Sequence, residues 1–365
     1  MIALFFVMVF IGFLFNRIEK KYVLHRLVIS RALNKQSVES GEAFTITLTI
    51  ENRKLLPVAF LQITEVFPLK FRFGQAGHRV PGGQEFSSVL AVLPYQRVSR
   101  IRRCSCNHRG RYFFQSLSVS GGDLLGIDTV NKPMEDFQEI IVLPKPINLN
   151  RGFAPWGSYY GNFSIRRWIM EDPILTVGIK EYTGTEPYHT IHWASSLKCG
   201  KLMVRQFDHS TDRSVKIILN IETAKPFWAN IDEAKIEKCI SIARSIVEQL
   251  EAICVPFVCC TDADTDDCND SRSGCGRTHT RAILEMLGGI TYRLRCPLEQ
   301  LLLDMGKTLK PNTSVILITP SILQSYIEPI NSLYKSTNQM MVVSLNPEHF
   351  KNLKQEILCF SENGI

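Results

Sequence analysis

The stretch Val215-Lys-Ile-Ile-Leu-Asn-Ile221 decides how this chain is read, because only Lys216 and Asn220 interrupt its apolar run. A strand with one wet face alternates polar and apolar residues, whereas a nearly continuous run suits a parallel strand covered on both faces. Downstream, Ile236, Ile240, Ala243, Val247 and Leu250 recur at helical spacing, with Asn230 and Glu233 as a capping pair. Residues 253–260 read as a second strand, at a sheet edge because Pro256 has no N–H for a ladder. Helical patterns over 279–287 and 298–309 lead into a strand at 314–319, a helix from Ser321 and a last strand over 340–345. Strands alternating with helices predict a doubly wound α/β domain, which we bound at residues 176–365.

Upstream the period changes. Phe44-Thr-Ile-Thr-Leu-Thr-Ile50 alternates strictly, and further short runs follow at 58–66, 86–93, 98–104 and 112–119. Gly and Pro separate the runs and no helical period intervenes, so residues 36–145 are expected to form an antiparallel, Ig-like β-sandwich. Residues 146–175 form the interdomain connection. Phe153, Trp156, Tyr159, Tyr160, Phe163 and Trp168 stand there in place of a solvated Ser/Gly spacer, which predicts a firm joint.

Residues 1–15 are an uncharged apolar run, and 16–35 a basic juxtamembrane segment. At about 1.5 Å per residue such a helix is short for a hydrocarbon core of about 30 Å, but thinning or lysine snorkelling covers the deficit. A cleaved signal peptide would have a basic stretch before the apolar run and a small-residue cleavage site after it, and neither is present. The first 35 residues hold six of the 42 Lys/Arg and one of the 35 Asp/Glu. Positive charge after the run predicts a single-pass anchor in the cell membrane, with the soluble domains cytoplasmic. The rest of the chain is nearly balanced in charge, so a nucleic-acid partner is not expected. Eleven cysteines without small-domain spacing read as reduced thiols.

The segment from Val177 to Phe207 carries Tyr182, Gly184, Ile191, Trp193, Ala194, Leu202 and Val204 in one register. In this it resembles the signature of the bacterial "domain of unknown function 58" family, and Gly41-Glu42, Tyr95-Gln-Arg97 and Arg109-Gly-Arg-Tyr112 extend the likeness into the sandwich. One departure is Thr183-Gly184-Thr185, where that family has Pro-Gly-Asp. The resemblance implies a von Willebrand factor A-like second domain behind a β-sandwich and a membrane anchor. It also implies a MoxR-type AAA+ ATPase as partner in envelope-related processes.

Von Willebrand factor A-like domains hold Mg²⁺ through oxygen ligands at the end of the first strand and on later loops. The matching positions here are Asn220, Glu222, Ala224 and Thr319, with Pro320 following, and a single carboxylate among them predicts a degenerate site without metal. Residues 262–267 begin like a calcium loop, but Asp267 replaces the obligatory Gly and Ser273 the bidentate Glu, so an exposed acidic loop is expected. Cys259, Cys260, Cys268 and Cys275 match no zinc spacing. His189, His192 and Glu186 lie near Trp193 without a third ligand or a nucleophile set by spacing. Arg97, Arg100, Arg102, Arg103, Arg109 and Arg111 form a basic tract that strand alternation splits between faces; a solvated surface is expected, with an anionic lipid or acidic partner as the alternative.

These readings predict a non-enzymatic, membrane-anchored interaction module without a cofactor and without catalytic residues. Its family-signature interaction residues are Tyr182, Gly184, Ile191, Trp193, Ala194 and Leu202. The alternatives are a hydrolase-like enzyme with a site near Glu222 and His192, and a metal-dependent adhesion protein.

Overall fold

A computed structural model describes residues 22–75, 77–114, 117–122, 129–134, 136–149, 176–183, 188–207, 214–265, 273–309, 313–337 and 339–361. The apolar run 1–15 and the aromatic residues 153–168 lie outside the described residues. Among those described, no helix is long and apolar enough to cross a membrane.

The chain is mostly β-structure, with an N-terminal β-sandwich. Its strands are β1 (Leu27–Leu33), β2 (Ser37–Val38), β3 (Ala43–Asn52), β4 (Val58–Phe67), β5 (Phe71–Phe73), β6 (His78–Val80), β7 (Gly83–Val92), β8 (Arg97–Cys106), β9 (Gly110–Phe114), β10 (Leu117–Gly122), β11 (Thr129–Met134) and β12 (Gln138–Val142). One sheet runs β1-β3-β8-β5, a second β11-β10-β4-β7-β6, and a small third β2-β12-β9. The period-2 pattern of β3 does what it predicts: Phe44, Ile46, Leu48 and Ile50 are buried and the threonines between them face outward. One end of the core is aromatic, with Phe67 meeting Phe73, Phe86 and Phe114 at ring-centroid distances of 4.9, 5.8 and 5.6 Å. The other end is aliphatic, around Ile50, Leu61, Ile63 and Val92.

The boundary of the basic segment 16–35 is corrected. β1 lies inside it, Val23 and Ile29 belong to the sandwich core, and Arg31 is buried beside Asp136 with its guanidinium 5.3 Å from the Phe114 ring centre. A buried, paired arginine looks like a juxtamembrane charge when only its type is counted.

The strands β13 (Thr176–Glu181) and β14 (Met203–Phe207) pair with each other, and α1 (Trp193–Cys199) lies between them in sequence. A parallel sheet follows, formed by β15 (Ser214–Leu219), β16 (Phe257–Thr261), β17 (Thr313–Thr319), β18 (Gln339–Ser344) and β19 (Leu358–Ser361), in the order β16-β15-β17-β18-β19. The helices α2 (Glu233–Ala252) and α3 (Arg277–Gly289) cover one face, and α4 (Leu298–Thr308) and α5 (Ile327–Lys335) the other. The continuous run at 215–221 is explained by this: Val215, Ile217 and Leu219 enter one core and Ile218 the other. β16 is an edge strand, as Pro256 suggested. The cap of α2 differs from expectation, since the Asp232 side chain accepts the Lys235 N–H at 3.2 Å while Asn230 closes a preceding 3-10 turn. Strand β19 has no strong sequence pattern and was not anticipated.

The sandwich and the parallel-sheet domain are joined by polar contacts of two buried arginines with more exposed carboxylates and with backbone carbonyls. Arg109, on the turn before β9, donates to the carbonyls of Leu287, Gly288 and Ile290 at 3.1, 3.2 and 2.8 Å, and pairs with Glu237 at 2.8 Å. It thereby satisfies the carbonyls at the end of α3 from the other domain. Arg244 of α2 bonds Glu39 at 2.5 Å and the carbonyl of Pro144. A Cβ on Gly288 would stand 2.9 Å from the Ile141 side chain, so glycine permits this close approach.

Candidate functional site

Two regions hold the residues singled out by sequence. The first is the crest of the parallel sheet, where strand order reverses between β15 and β17 and the carboxyl ends of both strands meet, a common ligand position in α/β folds. Asn220 follows β15 and is fully buried; its amide nitrogen donates to Thr319 Oγ1 at 2.8 Å and its Oδ1 accepts the Glu222 N–H at 2.8 Å. Thr319 in turn donates to the Ser321 carbonyl at 2.8 Å. Glu222 is buried and accepts the Tyr326 hydroxyl at 2.6 Å. Ala224 adds no oxygen donor from its side chain.

Asp262 completes this group and corrects the expectation of an exposed acidic loop at its first residue; Asp264 is exposed, and Asp266 and Asp267 lie outside the described residues. It stands immediately after β16 and is wholly buried; its Oδ1 accepts the Ile221 N–H at 2.9 Å. Its Oδ2 is buried and has no hydrogen-bond partner among the described residues. Burial raises its pKa to about 8, the Ile221 N–H opposes the shift, and the nearby Glu222 adds to it. Near pH 7 the carboxyl therefore keeps its proton, which removes the cost of a dry anion. Burial and the bond to Glu222 likewise push the Tyr326 hydroxyl up.

Asn220, Glu222 and Thr319 do meet, as their sequence positions implied, but their polar atoms are engaged with one another. Among the described residues no three His, Cys, Asp or Glu are placed to hold a metal ion. Sequence reading missed Asp262 and Tyr326. The usable signal for Asp262 was its place directly after an apolar strand run, at the carboxyl edge of the sheet.

The second region is the β13–α1–β14 unit. Tyr182 is half-buried, its ring centre 6.0 Å from that of Tyr188, and its N–H donates to the Leu202 carbonyl at 2.8 Å. Ile191 is buried and bridges Val204. Gly184 lies outside the described residues, as does Glu186, and the His189 side chain is not described. His192 caps α1: its Nδ1 accepts the Ser195 N–H at 3.2 Å and lies 2.9 Å from Ser195 Oγ. It shares no contact with Glu222.

The helix α1 is amphipathic in the reverse sense. Its inward residue is Ser196, which donates to the His192 carbonyl at 3.0 Å and accepts the Met203 N–H at 2.8 Å. Its apolar residues face outward, with Trp193 at 65% and Leu197 at 85% exposure, one helical turn apart, and Ala194 beside them. Tyr188 and Leu202 are also exposed, at 76% and 45%. Trp193 thus presents a solvent-facing indole.

No family model matches the chain. It is 19% identical over 247 residues to the uncharacterized protein YeaD of Bacillus subtilis, a match covering 63% of this chain and 54% of that protein, so the chain spans about half of its relative's length. Among solved structures, a cohesin module from a Clostridium perfringens family 33 glycoside hydrolase is 13% identical, covers 32% of this chain and 96% of its own, and has a TM-score of 0.25. A CARDB domain from Pyrococcus furiosus is 8% identical, with coverages of 32% and 91% and a TM-score of 0.23.

Proposed function

We propose that this protein is a membrane-anchored assembly module without enzymatic activity, whose second domain is of von Willebrand factor A-like type and serves as adaptor for a MoxR-type AAA+ ATPase in envelope-related processes. The observation that carries this reading is the reversed helix α1. Helices of soluble proteins turn their apolar stripe to the core, and a contiguous exposed apolar face marks an interaction surface. Here Trp193 and Leu197 stand outward on the segment that carries the family resemblance, and tryptophan is a frequent anchor of protein interfaces.

The test is co-purification of the full-length chain from detergent-solubilised membranes with a purified MoxR-type ATPase. Trp193→Ala combined with Leu197→Ala should abolish capture and leave the circular dichroism spectrum unchanged. Capture at wild-type strength by the double variant would overturn the role of α1. The proposed anchor at residues 1–15 and cytoplasmic placement are tested through Cys275, whose thiol is exposed. A membrane-impermeant maleimide should label it only after the cells are opened.

A further inference from the structure

The outer face of the β1-β3-β8-β5 sheet is basic and, among the described residues, uncovered. Strand alternation turns Val28, Ser30 and Ala32 of β1, Thr45, Thr47, Thr49 and Glu51 of β3, and Arg97, Ser99, Ile101 and Arg103 of β8 to this side. The register sets Ile101 opposite Thr47 and Arg103 opposite Thr45, and Arg72 of β5 lies beside Ser105. Ile101 is 67% exposed in the middle of short hydroxyl side chains, and Arg72, Arg97 and Arg103 are exposed around it. Glu51 is the one carboxylate among these outward residues, and it is already shared by Arg53 and Arg97. The second domain joins the sandwich elsewhere, through β9 and β12, so its described residues leave this face open.

The path of the chain selects the occupant. β1 is an edge strand of this sheet, and only residues 16–26, which include Arg17, Lys20, Lys21 and Arg26, separate it from the apolar run ending at Phe15. At roughly 3.5 Å per extended residue this tether reaches no more than about 40 Å. We propose that this sheet face rests on an anionic phospholipid bilayer, with Arg72, Arg97 and Arg103 against lipid phosphates and Ile101 between the headgroups. The inference rests on the reading that residues 2–15 enter the membrane. Guanidinium groups bind phosphate oxygens in bidentate fashion, and the tether keeps the sheet close enough to the leaflet to reach the range of about 10 Å over which its charge acts.

Phenylglyoxal, which modifies accessible guanidinium groups, provides the test. The full-length chain is reconstituted in vesicles of phosphatidylcholine alone, or of equal parts phosphatidylcholine and phosphatidylglycerol, and modified sites are read by mass spectrometry. Arg97 and Arg103 should react several-fold more slowly in the mixed vesicles, while the exposed Arg205 and Arg277 react equally in both. Equal reactivity of Arg97 and Arg103 in the two vesicles, with protein that floats with both, would overturn the inference and leave the anchor standing. Protein that floats with neither vesicle would remove the anchor and this inference together. Ile101→Trp gives a second readout, with fluorescence quenched by brominated acyl chains in the mixed vesicles; no quenching there would also overturn the proposal.

Discussion

At the crest of the parallel sheet, Asn220, Glu222, Thr319 and Tyr326 turn their polar atoms inward and satisfy one another; along α1 the polar Ser196 is also turned inward, but Trp193 and Leu197 are left outside. Both regions have buried polar groups, and they differ in where the apolar surface goes. At the crest these four residues close on one another, and Oδ2 of Asp262 beside them is buried without a partner among the described residues. The helix satisfies its backbone and side chain inside and keeps its apolar area for something else. A cluster of carboxyl groups at a favoured ligand position is thus a weaker pointer to function here than a helix facing the wrong way.

The largest expected effect is at Asp262. Its native pKa is raised to about 8, above the value of about 3.9 usual in an unfolded chain. Between those values the native state binds more protons than the unfolded state, so this group's contribution is intact below about pH 4 and is lost as pH rises through about 8. Asp262→Asn keeps an acceptor for the Ile221 N–H and removes the titration. It should stabilise the protein by on the order of 3–5 kcal/mol at pH 8 and by little at pH 4. Urea melts across that range check it, and an unchanged pH slope in the variant would mean that the crest is wetter than it is drawn here.

Tyr326→Phe should be next. It leaves one buried oxygen of Glu222 without its donor, at a cost of about 1–3 kcal/mol by denaturant melting. Ser196→Ala removes the interior bonds of α1 and should cost about 1 kcal/mol. Trp193→Ala should change stability by no more than about 0.5 kcal/mol, although a buried tryptophan so truncated loses about 3–5 kcal/mol. A loss of core size at Trp193 would erase the contrast between the two regions.

Much of the fold was legible because it rests on periodicity. The alternation of residues 44–50 and the continuous run at 215–221 each follow from which faces are covered. What was not legible depends on single side chains placed by tertiary structure. Asp262 was hidden by its neighbours, since Asp264, Asp266 and Asp267 make the segment look solvated as a whole. Arg31 was counted with a basic run because nothing local shows that Phe114 and Asp136 await it. The helix α1 is short and carries its apolar residues on the outer side, so a search for inward-facing stripes passes over it. A firm joint was expected from aromatic residues that lie outside the described residues, whereas the described contacts between the two domains include the polar ones of Arg109, Arg244 and their carbonyl and carboxylate partners.

The cap that Arg109 places on α3 also bears on the order of synthesis. The sandwich leaves the ribosome first, and domains generally fold as units in that direction. On that order, the sandwich surface carrying Arg109 is formed before Leu287, Gly288 and Ile290, whose carbonyls accept from its guanidinium in the native structure, are made. The first domain can thus offer a preformed partner to the second, although once both are folded the contact stabilises each equally. A chain beginning after residue 150 would have to finish α3 with water in place of that arginine.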